Sequence, residues 1–267
     1  MRLVALLAFA AAGCAQPSAP SHAHHPTLVS LNPCSDAILA EVTAPGQLLA
    51  ISHYSHDPRG SSMPLAQARG YRATGGTVEE VLALDPDIVV TSSFIDPATA
   101  NAFRRLGVRV ETVGIAATVA DSEAQVRRLA ALAGQPARGA ALVGRIEQSV
   151  AAAHRAGARV SALLWQEGGL VPGAGTLVAQ LVANSGFASL SAARGLGQGA
   201  YLPLEDVLAD PPQVVIAAGR ERMERHPALR HLNGMRYAEI EPNLLYCGGP
   251  TIPRLAARLA KLRDTMS

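Results

Sequence analysis

Two segments of the sequence repeat one plan, and this repetition constrains the fold more than any other feature. Residues 79–90 read EEVLALDPDIVV and residues 205–216 read EDVLADPPQVVI. Each segment begins with a glutamate, continues as a short amphipathic helix, breaks at proline and ends in a β-branched run typical of a buried strand. Because the same unit occurs in both halves of the chain, we predict two α/β lobes of similar construction.

The beginning of the first lobe shows the order of elements expected for a parallel sheet. Leu28–Leu31 and Gln47–Ser52 are short apolar runs that predict two strands. Between them we predict a helix capped by Ser35 or Asp36. Strand, helix and strand in this order favour a parallel α/β sheet.

The segment between the two lobes is predicted to be helical. From Pro136 to His154 apolar side chains recur on one helical face. A helix of that length spans roughly 30 Å at 1.5 Å per residue, which is long enough to join two lobes and stiff enough to oppose large closing motions. We therefore divide the mature chain into an N-terminal lobe at residues 27–118, an interlobe helical segment at 119–157 and a C-terminal lobe at 158–267.

The first 26 residues have the character of an export signal and a tether. Arg2 precedes the apolar run Leu3–Ala12, which is too short to cross a bilayer as a helix. Cys14 follows in a context that looks like a bacterial lipobox, in which cleavage before the cysteine frees it for lipidation. Ordinary signal peptidase cleavage is the alternative, because Ala11 is smaller than the usual residue three positions before the cysteine. Both alternatives predict a periplasmic protein, and lipidation of Cys14 predicts a membrane anchor.

Residues 52–60, SHYSHDPRG, concentrate side chains that bind ligands. They place His53, Tyr54, His56 and Arg59 in the loop that follows the second predicted strand. Tyr54 offers a stacking surface, imidazole suits iron, copper, zinc or cobalt, and Arg59 can pair with a carboxylate or phosphate. Solvated side chains are the alternative interpretation for the histidines and for Arg59.

Cys34 and Cys247 are the two cysteines of the mature chain. In an exported protein they can form a disulfide. As thiolates they can instead contribute to a metal site, alone or with His53 and His56. The sequence leaves both possibilities open.

The order and spacing of these segments resemble those of the periplasmic binding proteins that serve ABC importers for cobalamin, haem and ferric siderophores. The likeness extends from about Thr27 to the end of the chain, and it is carried by LVSLNPCSDAILAEV, AISHYSHDPR, VEEVLALDPDIVVTSS, LEDVLADPPQVVIAAG and IPRLAARLAKL. It implies the class III fold of the helical-backbone metal receptors, in which two Rossmann-like α/β lobes are joined by a long rigid backbone helix. It also implies a ligand held between the lobes and an ABC permease and ATPase as partners. We expect a monomer.

The resemblance assigns roles to individual residues. Glu79 and Glu205 match acidic residues that dock onto arginines of the permease, one from each lobe, although carboxylates also suit the dipole in the first turn of a helix. Tyr54 falls where the cobalamin-binding protein places an aromatic side chain against its ligand. The further predicted ligand-binding residues are Trp165, Tyr201 and Tyr246. Core packing is the alternative interpretation for Trp165, the single tryptophan of the chain.

The expected ligand is a cobalt or iron chelate. Cobalamin is the first candidate, haem or a ferric siderophore the second, and a transition metal bound directly by His53, His56, Cys34 or Cys247 the third. The contrasting function is that of a periplasmic metal-storage or sensing protein without a permease partner.

Enzymatic functions and nucleic-acid binding have weaker support. Cys34 with a histidine would suit a thiol hydrolase, but the sequence indicates no third, orienting group. Residues 173–175 (GAG) fail as a dinucleotide fingerprint, because Val178 stands where a small residue is required. The motifs GxSxG, GxxxxGK[ST] and HExxH are absent. A net charge of +2, with scattered Lys and Arg, argues against a nucleic-acid partner.

Overall fold

The computed structural model describes residues 25–219, 222–230, 232 and 234–266. Its N-terminal lobe contains a parallel β-sheet. The strands of this lobe are β1 (Leu28–Ser30), β2 (Leu48–Ser52), β3 (Ala73–Thr74), β4 (Ile88–Ser92) and β5 (Arg109–Val113). They are all parallel and lie in the order β3-β2-β1-β4-β5. The helices are α1 (Pro33–Val42), α2 (Leu65–Ala68), α3 (Val78–Leu82) and α4 (Pro97–Arg105), with a 3-10 turn at His53–His56.

Two helices, α5 (Val119–Leu132) and α6 (Pro136–Ala153), connect the lobes. The first begins with a reciprocal cap, in which Thr118 accepts from the backbone N–H of Asp121 and Asp121 accepts from that of Thr118. The second has 18 residues and spans roughly 27 Å, and it coincides with the predicted interlobe helix. The two helices approach closely at Gly139, where an added Cβ would lie 2.4 Å from Cβ of Ala130. A larger side chain at this position would push α5 and α6 apart.

The C-terminal lobe is built on a second sheet of mixed direction. Its strands are β6 (Val160–Gln166), β7 (Leu170–Val171), β8 (Phe187–Ser189), β9 (Ala200–Tyr201), β10 (Val214–Ala218) and β11 (Arg236–Glu239). They lie in the order β11-β10-β6-β7-β9, with β8 also paired to β6, and β7 is antiparallel to its neighbours. The helices are α7 (Leu177–Asn184), α8 (Leu190–Ala193), α9 (Leu204–Ala209), α10 (Pro227–Arg230) and α11 (Thr251–Asp264), with 3-10 turns at Glu167–Gly169 and Pro242–Leu244.

The repeated segments form the predicted helix–strand units in both lobes. Residues 79–90 run from α3 into β4, and residues 205–216 run from α9 into β10. Both strands are central in their sheets, and every residue of β10 is buried. The prediction of two α/β lobes joined by a long helix is confirmed.

One continuous apolar core joins the two sheets. It contains side chains of β1 and β4, of α1, α5 and α6, of β6 and β10, and of α11. Helix α6 packs against α5, α11, α1 and α7, so it contacts elements of both lobes. Since burying apolar area stabilises by about 25 cal/mol per Å², rotating one lobe against the other would expose part of this core at considerable cost.

A disulfide between Cys34 and Cys247 links the lobes covalently. Cys34 lies in the first turn of α1 and Cys247 in the loop before α11, 213 positions away in the sequence. Ser62 of the N-terminal lobe donates a hydrogen bond to Sγ of Cys247 at 2.9 Å. The disulfide excludes both cysteines as metal ligands, so that part of the predicted metal site is wrong.

The cap of α1 also differs from the prediction. Asn32, rather than Ser35 or Asp36, accepts hydrogen bonds from the backbone N–H groups of Cys34 and Ser35. Pro33 therefore occupies the first helical position, which suits its fixed φ angle and its missing N–H. Asp36 is released from capping and turns toward the end of β2, as described below.

The predicted export signal and Cys14 lie outside the described residues. Within the described residues, no helix combines the length and the apolar character needed to cross a membrane.

We expect the disulfide to stabilise the fold without being required for it. The Cys34→Ser, Cys247→Ser double variant should keep its far-UV circular dichroism spectrum and unfold with about 2–4 kcal/mol less free energy, because the bond restricts the unfolded chain. Denaturant unfolding measures the difference. A dithiol reductant should shift the wild-type curve to the same extent and leave the variant unchanged, and equal stabilities of the two proteins would contradict this role.

Candidate functional site

A cleft with two adjoining compartments lies between the lobes. The compartments have volumes of about 170 Å³ and about 360 Å³. Tyr246 lines both of them, so they meet at this side chain. Both are bounded by residues of both lobes, which makes the cleft the natural place for a ligand held between them.

Loops from both lobes form the first compartment. On the N-terminal side they follow β1, β4 and β5, whose carboxyl ends meet at one edge of the parallel sheet. On the C-terminal side the walls are residues 175–178, at the start of α7, and residues 245–248, which include the disulfide partner Cys247. Thr176 caps α7 by accepting a hydrogen bond from the backbone N–H of Ala179.

Two apolar side chains that the sequence analysis missed line the first compartment. Phe94 is 78% exposed and Ile115 is 68% exposed, which is unusual for large apolar residues. Each comes two positions after a strand end, Phe94 after β4 and Ile115 after β5. The signal in the sequence for both residues is their position directly after a buried strand.

The two compartments differ in charge. None of the described residues that line the first compartment is charged, and its polar side chains include the amides of Asn32, Gln125 and Gln198. The second compartment contains Arg59 from the N-terminal lobe and Glu167 and Glu241 from the C-terminal lobe. The predicted residue Arg59 therefore lies in the cleft, but it shares its compartment with two carboxylates.

The predicted residue Tyr246 also lies in the cleft. Its ring is half exposed between the two compartments. Partial burial, and secondarily the negative charge of Glu167, raise the pKa of its phenol above the ordinary value. The hydroxyl therefore stays protonated at neutral pH and can donate a hydrogen bond to a ligand.

The turn His53–His56 follows β2 and lies three to six positions before Arg59. His53 and Tyr54 are exposed, with ring centroids 4.1 Å apart, and His53 Nδ1 lies 3.3 Å from the backbone oxygen of Thr74. Neither residue lines the two compartments, whereas Arg59, five positions after Tyr54, lines the second one. An added Cβ at Gly60 would lie 2.8 Å from the backbone oxygen of Tyr54, so glycine is needed for the loop to fold back on the turn.

His56 differs from His53 in its surroundings. It is partly buried, and its Nε2 is a buried atom with no hydrogen-bond partner among the described residues. Among those residues, no group of three or more His, Cys, Asp or Glu side chains is placed to hold a metal ion. The structure therefore does not bring His53, His56, Cys34 and Cys247 together as a metal site.

The prediction that Trp165 contacts a ligand is wrong. Its side chain is fully buried in a cluster with Val171, Leu202 and Val215, and its indole N–H donates to the backbone oxygen of Leu202 at 3.1 Å. Its strand, β6, has neighbouring strands on both sides in the sheet, which explains this burial. Tyr201 is exposed in β9 and lies outside both compartments.

Glu79 and Glu205 are both exposed in the first turns of short helices, α3 and α9. Neither carboxylate has a hydrogen bond or ion pair with another described residue. Glu80, next to Glu79, instead accepts from the hydroxyl of Thr74 and the backbone N–H of Gly75. Of the two adjacent glutamates, only Glu79 therefore has a carboxylate free for a partner within the described part of the chain.

Known structures share this architecture. The periplasmic heme-binding protein RhuT from Roseiflexus sp. RS-1, in its apo form, aligns with a TM-score of 0.71 and 20% identity over 90% of this chain and 97% of its own. The periplasmic heme-binding protein HutB of Vibrio cholerae gives 0.72 and 18% over 89% and 98%. The periplasmic vitamin B12-binding protein BtuF of Vibrio cholerae gives 0.67 and 16% over 90% and 97%. These similarities show a shared fold.

The family is established by the sequence itself. No curated protein sequence matches the chain at a significant level. The family described as periplasmic binding protein matches residues 28–237, which include both sheets up to the first residues of β11. The chain therefore belongs to the periplasmic binding protein family.

Proposed function

We propose that this protein is the substrate-binding component of an ABC importer and captures a tetrapyrrole metal chelate, cobalamin first, in the cleft between its lobes. The observation that carries the proposal is the first compartment, where exposed apolar side chains and amides from both lobes face a space without charged residues among those described. Fold similarity to binding proteins for heme and for vitamin B12 supports the same class of ligand.

The chemistry of the cleft favours cobalamin within this class. A corrin ring presents a flat apolar face, which suits Phe94, Ile115 and Tyr246. Its edge carries amide groups, which can exchange hydrogen bonds with Asn32, Gln125 and Gln198. Because these contacts are uncharged, a dianionic ligand would lose its hydration in the first compartment without gaining an ion pair there.

Haem is the second candidate, and a different observation favours it. Tyr54 is 58% exposed and its ring centroid lies 4.1 Å from that of His53, in the turn that precedes the loop of Arg59, so either side chain is available as an axial ligand to iron. Arg59 can pair with one propionate. The two carboxylates near Arg59 weaken this match, since they repel propionates.

A metal-storage or sensing protein is less well supported. Two of its four candidate ligands, Cys34 and Cys247, are joined in a disulfide. His53 and His56 alone do not provide the three or four protein ligands of a dedicated transition-metal site.

Direct binding tests the ligand. We expect cyanocobalamin to stabilise the purified protein by about 2.7 kcal/mol at a concentration 100 times its Kd. Haemin, a ferric siderophore and divalent zinc serve as comparisons in the same thermal-shift series. A larger shift with haemin, accompanied by a change in its Soret band, would reverse the order of the two candidates. No shift with either tetrapyrrole would contradict the proposal.

Variants in the cleft test the location of the site. Phe94→Ala and Ile115→Ala should each weaken binding of the chelate about tenfold, because each removes an apolar contact worth roughly 1–2 kcal/mol. Leu106→Ala is a matched control, since Leu106 is 56% exposed in the same lobe but outside the cleft. Isothermal titration should show unchanged affinity for the control. Equal losses in all three variants would place the ligand elsewhere.

Delivery to a permease is the second part of the proposal. Glu79 and Glu205 are exposed carboxylates, one on each lobe, that have no partner among the described residues, and the shared core holds the lobes at a fixed separation. Two charges at a fixed spacing can orient the protein on two basic sockets and accelerate association. Lipidation of Cys14 would keep the protein at the membrane that carries the permease.

Removing both docking charges should separate delivery from capture. We expect the Glu79→Ala, Glu205→Ala double variant to bind the chelate normally and to reduce uptake at least tenfold, with a loss that is greatest at low salt. Glu147→Ala, an exposed carboxylate on α6, is the control and should transport normally. Undiminished uptake by the double variant would contradict docking through these residues.

A further inference from the structure

A carboxyl group is buried between the first turn of α1 and the turn that carries His53 and Tyr54. Asp36 is fully buried, and its Oδ2 accepts a 3.0 Å hydrogen bond from the backbone N–H of Ser52 and a 2.6 Å hydrogen bond from the hydroxyl of Ser55. Ser52 precedes the turn and Ser55 lies within it. One oxygen atom therefore ties both parts of the turn to the helix.

This position is costly for a carboxyl group. The residues that follow Asp36 on α1 are Ala37, Ile38 and Leu39, all buried, and its second oxygen, Oδ1, has no hydrogen-bond partner among the described residues. Burial raises the pKa of Asp36 to about 8, even though the hydrogen bonds it accepts act in the opposite direction. A buried acid held at this cost, with no role as a helix cap, points to a specific function in the neighbouring turn.

We propose that Asp36 is a positioning residue for ligand capture, which fixes the orientation of the turn His53–His56 at the rim of the cleft. This inference rests on the proposed function, because the turn carries the aromatic and imidazole groups offered to the ligand. The turn has little other support: His53 and Tyr54 are exposed, and Ser55 is its only fully buried member. Without the acceptor oxygen, the turn would have to become ordered when the ligand binds, and this would make the free energy of binding less favourable.

The acceptor can be removed or kept in variants of similar size. Asp36→Leu removes both hydrogen bonds, and we expect it to weaken cyanocobalamin binding at least tenfold. Asp36→Asn keeps an acceptor oxygen and should bind within about threefold of the wild type near pH 6. Ser55→Ala removes one donor, leaves the buried carboxyl in place, and should give an intermediate loss. Haemin replaces cyanocobalamin as the probe if haemin is the chelate that the wild type binds.

A destabilised variant separates positioning from general loss of stability. Trp165→Phe removes a buried hydrogen bond in the core of the other lobe, so it should lower the melting temperature and leave the affinity unchanged. If Trp165→Phe weakens binding as much as Asp36→Leu does, the effect of Asp36 is merely structural and the inference is wrong.

The pH dependence supplies a readout specific to the carboxyl group. Ionised Asp36 is disfavoured in the ordered turn, where its pKa is raised, relative to an opened turn in which water reaches it. Wild-type affinity should therefore fall at least threefold as pH rises from about 6 to about 9. Asp36→Asn should show no such fall. Parallel pH profiles of the two proteins would overturn the inference.

Other ionisable groups near α1 remain in the Asn variant and cancel in this comparison. β1, β2, β3 and α2 have no charged or histidine side chains, and Cys34 is held in the disulfide. The turn itself contributes His53, Tyr54 and His56. On the packed helices, Arg145 pairs with Glu41 at the far end of α1, Arg138 donates to the backbone oxygen of Thr43, and Arg127 pairs with Glu123 and Glu147. The remaining charged residues of these helices are Asp121 and Arg128.

A ligand-free measurement distinguishes failure of this inference from failure of the proposed function. Hydrogen exchange at the amide of Ser52, which donates to Asp36, should be faster in Asp36→Leu than in the wild type. If the wild type binds no tetrapyrrole, the proposed function fails while this exchange still reports the support of the turn. If the wild type binds and Asp36→Leu binds equally well, the positioning role fails alone.

Discussion

The packing of α1, α5, α6 and α11 into one apolar core is the interaction on which the rest of the structure depends. These helices bury side chains against both sheets, so the two lobes share one core in addition to the smaller apolar cluster that each lobe has of its own. Opening a cleft wide in such a molecule would separate apolar surfaces that are now in contact. The gap between the lobes is therefore a nearly fixed dimension, and a ligand must fit it by shape and by small side-chain movements.

The first turn of α1 concentrates the links between this core and the cleft. Asn32 caps the helix, Cys34 bonds covalently to the C-terminal lobe, and Asp36 holds the turn at His53. Three residues within five positions thus connect the helix to the C-terminal lobe and to the turn His53–His56. A short helix end can do this because its N–H groups are satisfied by Asn32, which leaves the neighbouring side chains free for contacts outside the helix.

Periodicity made the architecture predictable, whereas the site depended on three-dimensional placement. The strand β10 and the helix α6 are visible in the sequence because buried strands and one-sided helices have distinct patterns. The disulfide could not be assigned from the sequence, because the pairing of Cys34 with Cys247 depends on how the lobes meet. The direction of the Trp165 side chain could not be predicted either. An isolated aromatic residue near the end of a strand gives no indication of whether its ring faces a cleft or a core.

Under the proposed function, the distribution of charge in the cleft would give the chelate a preferred orientation. The uncharged compartment and the one containing Arg59, Glu167 and Glu241 meet at Tyr246. A flat chelate with one extended polar substituent would place its ring in the first compartment and its substituent in the second, where both a cation and carboxylates are available. Cobalamin has this asymmetry, since its nucleotide arm projects from one side of the ring, whereas haem carries two like charges at one edge. Because burying a charged group without a partner is strongly unfavourable, the asymmetry of the cleft would discriminate between these two chelates by the polar substituents of the ligand. The flat rings of both chelates would suit the apolar walls equally.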